Sequence, residues 1–151
     1  MTQCFYDFGD GHGLVPAHRH VNRSKNVLGG WVADTARVAK TVFVGKNALV
    51  FDEAIINDYV IVNCDAKVYG QAVLQGHVWV YNCGQVFGFA NLDDNVRITG
   101  SAVVSGGFLR KNAVVGGNAQ IGGGAFIAEN AIIHGVANLT DGLHINVEIT
   151  K

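Results

Sequence analysis

From Val32 to Leu139 an aliphatic residue returns at every sixth position. The series runs Val32, Val38, Val44, Val50, Ile56, Val62, Val68, Leu74, Val80, Val86, Leu92, Ile98 and Val104. It then loses one residue and resumes at Leu109, Val115, Ile121, Ile127, Ile133 and Leu139. Two places before most of these stands a small residue, usually Ala, as at Ala36, Ala48, Ala66, Ala90, Ala113 and Ala137. The residues flanking each aliphatic tolerate water, which is the in-and-out alternation of a strand. So regular a repeat points to one structural unit used many times over, and it sets the architecture.

Each hexad also carries a corner. Pairs such as Lys46-Asn47, Asp94-Asn95, Gly100-Ser101, Gly117-Asn118 and Glu129-Asn130 fall between the aliphatic and the next small residue. Gly and Asn enter left-handed backbone angles at little cost, so these pairs read as turns. A hexad is therefore a short strand plus a bend. Three of them close a triangular coil of eighteen residues, and coils stack at roughly the 4.8 Å spacing of paired strands. Residues 32–141 predict an all-β parallel β-helix, a triangular prism of about six coils and roughly 29 Å in length. The one-residue slip falls at Ser105-Gly106-Gly107-Phe108, where two glycines permit a tighter bend. An antiparallel sandwich of hairpins does not account for an unbroken period of six.

The hexads Val44-Gly45-Lys46-Asn47-Ala48-Leu49, Ile121-Gly122-Gly123-Gly124-Ala125-Phe126 and Val32-Ala33-Asp34-Thr35-Ala36-Arg37 share one pattern. It is an aliphatic, often Gly, two variable residues, a small residue and one more. In this the chain resembles the hexapeptide-repeat family of left-handed parallel β-helices, over about three-quarters of its length. The block Ala17-His18-Arg19-His20, leading to Gly29-Gly30-Trp31-Val32, is similar to the lead-in of uncharacterised bacterial and phage members of that family. The resemblance implies a left-handed coil and a homotrimer with parallel prism axes. It does not specify an activity, because function resides in sites and not in folds.

Bulk composition narrows the partners. The chain has 151 residues, 49% hydrophobic and only 15% charged, with a net charge of −1. No basic stripe favours nucleic acid. No stretch approaches the roughly 18 uninterrupted apolar residues of a membrane span. The first ten residues lack a basic region followed by an apolar run, so no secretory leader is expected. Three cysteines without paired spacing suit a reducing cytoplasm.

With the register set, outward residues eighteen apart lie above one another in columns. One column reads Phe43, Ile61, Trp79, Arg97, Val114 and Ile132, an apolar ladder interrupted once. Exposed apolar surface of this extent marks an interface. The expected oligomer contact therefore comprises Phe43, Ile61, Trp79, Val114 and Ile132, with His134 beside them. On another face Phe51, Tyr69 and Phe87 form an aromatic stack. The raw ends of such a prism need caps. Residues 1–31 supply the first, with Cys4, Phe5, Tyr6, Phe8 and a Gly-rich loop. Residues 142–151, where Leu143, Ile145, Val147 and Ile149 alternate with polar residues, read as a half-buried capping strand.

Chemistry is sparse. A family acyltransferase needs a His to deprotonate its acceptor, and a groove for acetyl-CoA or another acyl-CoA. The candidate is His77, at a corner where Asp58 and Asp94 occupy neighbouring positions in adjacent coils and could orient it. A metal centre across subunits, as in the carbonic anhydrases of this fold, is disfavoured, because no pair of repeat histidines lies five residues apart. His12, His18 and His20 in the cap could meet a metal, though hydrogen-bonding roles fit them better. Cys64 and Cys83 lie near one another at a corner and read as free thiols. No cofactor and no metal are expected. The sequence favours a non-catalytic, homotrimeric β-helix that binds a small molecule or a protein in grooves between subunits. The alternative is an acyl-CoA-dependent acyltransferase with His77 as base.

Overall fold

The structure is a computed structural model that describes residues 3–23 and 26–150. It is a three-sided parallel β-helix. Each hexad contributes a strand of two or three residues, and each strand pairs with the strand one coil above and one coil below. The first face is built on Leu49–Val50, Lys67–Val68, Gln85–Val86, Val103–Val104, Gln120–Ile121 and Asn138–Leu139. The second runs from Arg37–Val38 to Leu143–Ile145, and the third from Phe43–Val44 to Glu148–Ile149.

The periodic aliphatics form one continuous core. All are buried except Val38 and Leu139, which lie in the terminal coils and pack on the core from its ends. Val80 shows why the stack is stable: it sits in register between Val62 and Ile98, fully buried. The small residues before each aliphatic are buried as well, because the corner leaves no room for more. From Val50 to Ile133, apart from the slip, the left-handed residue at each corner is the second after the aliphatic. Gly70, Gly88, Gly100 and Gly117 take it, but so do Asp52, Asp58, Cys64, Asn82 and Asp94. At Gly88 a Cβ would lie 2.1 Å from the Ser105 carbonyl oxygen of the next coil, so that corner admits only glycine. The slip is absorbed at Gly107, with φ 86°, and Phe108 still pairs with Asn91 below and Phe126 above.

The C-terminal stretch is more than a single strand. A corner at Asn146, with φ 51°, divides it into Leu143–Ile145 and Glu148–Ile149, which add a seventh rung to the second and third faces. Repeat counting alone gave about six coils.

The N-terminal segment is a three-stranded antiparallel meander, β1 (Phe5–Asp7), β2 (Leu14–Asn22) and β3 (Val27–Ala33). The end of β3 is also the first rung, with Trp31 opposite Leu49 and Val32 opposite Val50. The meander works on both its sides. On the outer side Tyr6 and Phe8 fold over the first face and bury Ala17, Ala33 and Phe51 in a small second core. Their rings extend the expected aromatic stack. Tyr6 lies 4.9 Å from Trp31, Phe8 lies 4.8 Å from Phe51, and Phe51–Tyr69–Phe87 continue at 4.6 and 4.7 Å. Each such pair contributes about 0.5–1.5 kcal/mol beyond its buried area.

On the inner side β2 closes the open end of the third face. Phe43–Val44 is the first strand of that face and has no strand beneath it. The Asn22 side chain takes the place of one: its Oδ1 accepts the Val44 N–H at 2.9 Å and its Nδ2 donates to the Val44 carbonyl at 2.9 Å. Beside it the His20 Nε2–H donates to the Val42 carbonyl at 2.7 Å. A side-chain amide thus stands in for a peptide group and ends the ladder without leaving a strand edge for another chain. His20 and Asn22 are the two buried polar side chains among the described residues.

Candidate functional site

Folding the meander over the first face creates a cleft. It lies between the loop after β1 and the corner that joins the first face to the second, and encloses about 830 Å3. Phe8, Val15, Pro16, Ala33 and Phe51 make its wall apolar. Asp10, Asp34, Asp52 and Glu53 place four carboxylates around it, and among the described residues no Lys or Arg lines it. Three of these come from one corner column, since Asp34 and Asp52 stand one coil apart and Glu53 follows Asp52. Asp10 comes from the Gly-rich loop, where Gly9, Gly11 and Gly13 all have positive φ.

Local hydrogen bonds favour the ionised form of two of these carboxylates, Asp10 and Asp34. The His12 imidazole, at 2.9 Å, and the His12 backbone N–H, at 3.0 Å, keep Asp10 below the usual carboxylate range. The Asp10 carboxylate raises His12 above the ordinary imidazole value in return. Asp34 is lowered first by its contact with His18, at 2.8 Å, and further by the Gln3 amide at 3.0 Å. Asp52 accepts the Gly70 N–H at 3.1 Å. Asp10, His12 and Asp52 form the one group among the described residues whose ligand-type atoms converge, all within 4.8 Å of one another.

The cap histidines are divided between two places. His12 serves this cleft. His18 and His20 line a different cleft, and His18 also reaches Asp34 at the edge of the first. Sequence reasoning pointed to the cap but not to Asp52 as a neighbour of His12, because the two are forty residues apart and belong to different kinds of segment.

His77 is exposed at its corner, and its ring stacks on Tyr59 with centroids 5.5 Å apart. Asp58 and Asp94 stand in the neighbouring coils, as the register requires. Their carboxylates are engaged elsewhere: Asp58 Oδ2 accepts the Gly76 N–H at 2.9 Å, and Asp94 Oδ2 accepts the Lys111 N–H at 3.2 Å. Among the described residues no hydrogen bond joins either carboxylate to the His77 ring. Further along the same corner Asn95, Asn112, Asn130 and Asn146 form a ladder of side-chain hydrogen bonds, each 3.3 Å.

Phe43, Ile61, Trp79, Val114 and Ile132 do lie in one parallel stack on the third face. Arg97, the interruption, lays its guanidinium 5.0 Å from the centre of the Trp79 ring. Trp79 and Ile132 each remain 40% exposed. His134 lies just beyond that stack and contacts Glu148 at 3.2 Å. Cys4, Cys64 and Cys83 are free and exposed. No helix among the described residues is long and apolar enough to cross a membrane.

Comparison with family models, curated proteins and solved structures returned no match to this chain.

Proposed function

We propose that this chain is a non-catalytic binding module of the hexapeptide-repeat kind, whose ligand is a small organic cation taken into the cleft under the N-terminal meander. The observation that carries the reading is the pairing of an apolar wall with four carboxylates, against which the described lining residues set one histidine, His12, tied to Asp10, and no Lys or Arg. Such a site favours an ammonium group attached to an apolar body, since a mostly apolar cleft with a few placed charges both holds and orients a small molecule. The same charges repel the phosphates of an acyl-CoA. The three exposed thiols support a reducing compartment, and the cytoplasm is the proposed location.

The test is calorimetric titration with phenethylamine and, separately, with acetyl-CoA. Saturable binding of the amine is expected, weakened about tenfold or more by the double variant Asp52→Asn, Glu53→Gln, which keeps size and removes charge. Acetyl-CoA is expected to give no saturable heat. Tight acetyl-CoA binding lost in His77→Ala would install the acyltransferase reading instead.

The module works as a homotrimer through the third face, by this proposal. The apolar ladder supports it, because Trp79 and Ile132 leave large apolar surface exposed on a flat, regular face. Trp79→Asp would bury a charge in the contact. The variant is expected to sediment as a monomer with an unchanged β-rich dichroism spectrum, whereas the unaltered chain sediments as a trimer. A monomeric unaltered chain at micromolar concentration would refute the assembly.

A further inference from the structure

On the inner side of the meander a second cleft, of about 630 Å3, opens between β2 and the corner after Arg37–Val38. Among the described residues it is lined by His18, His20, Val21, Arg23, Val38 and Lys40, of which four are basic and none is acidic. This inverts the charge balance of the first cleft.

His20 differs from the other three basic residues. It is only 6% exposed, and its Nε2 meets the Val42 carbonyl. A carbonyl can only accept, so Nε2 carries the hydrogen. The nitrogen left to the cleft is Nδ1, and it has no partner among the described residues. Burial, and to a lesser degree the neighbouring His18, holds this imidazole below its usual value of 6.5. The basic side chains that line the cleft with it, among the described residues, are His18 from β2, Arg23 from the segment after β2 and Lys40 from the corner. Asp34, the carboxylate nearest in the bonding pattern, is taken by His18 Nδ1. In the β2–β3 pairing His20 falls at the register shift between Arg19, opposite Trp31, and Val21, opposite Leu28, where the intervening β3 residues are Gly29 and Gly30, without charge.

We infer that this cleft binds a small oxyanion, a carboxylate, sulfate or phosphate group, held by Arg23 and Lys40 and completed by an N–H of His20 Nδ1. Arg supplies a planar fork that matches two oxygens at once, and Lys a mobile point charge. The third donor exists only when His20 is protonated, so binding takes up a proton. The sign follows. In the free protein His20 is neutral near neutral pH. A bound anion favours the imidazolium and raises its pKa. Affinity therefore rises as pH falls through the bound-state pKa, and it levels off once His20 of the free protein is also protonated.

Sulfate is the probe, because it keeps its double charge across the range of about pH 5 to 8 where histidine titrates. Calorimetry at constant ionic strength, in two buffers of different ionisation heat, reads both affinity and protons taken up. Proton uptake per sulfate is expected to peak between the free-state and bound-state pKa values, approaching one when the two lie well apart, and the His20 ring resonances should titrate at higher pH with sulfate present. Arg23→Gln and Lys40→Gln should each weaken binding about tenfold, with the fold intact because both side chains are exposed. His20→Gln retains an amide N–H for the Val42 carbonyl and should flatten the pH dependence. Sulfate binding that is indifferent to pH, or to both charge-removing variants, would overturn the site, as would the absence of saturable binding.

Discussion

Val80→Asp is expected to unfold the middle of the prism. Val80 is fully buried between Val62 and Ile98, with coils stacked on both sides. No basic or hydrogen-bonding side chain points into that core, whose members are Val, Ile, Leu and Ala. A carboxylate there must stay ionised without a partner or become protonated at neutral pH, and either is costly. The loss should exceed about 4 kcal/mol, a large part of the 5–15 kcal/mol by which domains are stable. Because each coil leans on its neighbours, damage at one rung removes support from the next. Thermal unfolding followed by dichroism should show a collapsed or absent transition, and the protein should aggregate. Gln120→Asp, outward and exposed on the first face, serves as the control and should stay within about 0.5 kcal/mol of the unaltered chain. Equal melting temperatures for the two variants would contradict the register.

Asn22→Leu is expected to have the second largest effect, through the end of the prism and not its core. Asn22 is buried and makes two hydrogen bonds to Val44, one in each direction. Leucine has similar size and offers neither. A buried backbone N–H and a buried carbonyl then lose their partners, at about 1–3 kcal/mol each. The larger consequence is exposure of a free strand edge on the third face, which can accept a strand from another chain. The expected result is a lowered melting temperature together with concentration-dependent assembly in light scattering. Asn22→Asp is the informative companion. It can still accept from the Val44 N–H but cannot donate to the carbonyl, and it buries a negative charge. It should be destabilised as well, but less so at acid pH, where the carboxyl is protonated and can donate. If Asn22→Leu stays unassociated and melts like the unaltered chain, the side-chain amide is not what ends the ladder.

Much of this molecule was legible before any coordinates. The six-residue period predicted strand, corner and core positions one by one, and the eighteen-residue coil placed Trp79 over Ile61 and Phe51 beneath Tyr69. The slip at Gly106-Gly107 was placed correctly because only glycine relieves so tight a bend. What the pattern did not reveal lies in the first thirty residues and at the corners. Asp58 and Asp94 are close to His77 in register, yet their carboxylates turn to backbone amides of adjacent coils, and no count of spacings reports where a side chain points. His20 was seen as one of a cluster of histidines. The structure gives it a carbonyl to hold, and assigns His12 to a different cleft.

The division has a physical cause. Within the repeat each residue meets the residues eighteen away, so the contact is written into the period and the sequence alone determines the prism, its register and its core. The meander does not repeat. Its contacts, Phe8 with Phe51, Asn22 with Val44 and His12 beside Asp52, join segments that no periodicity relates. Only the folded chain decides that β2 buries Ala17 in the small second core and His20 and Asn22 against the end of the third face. That decision shapes both clefts and gives them opposite charge.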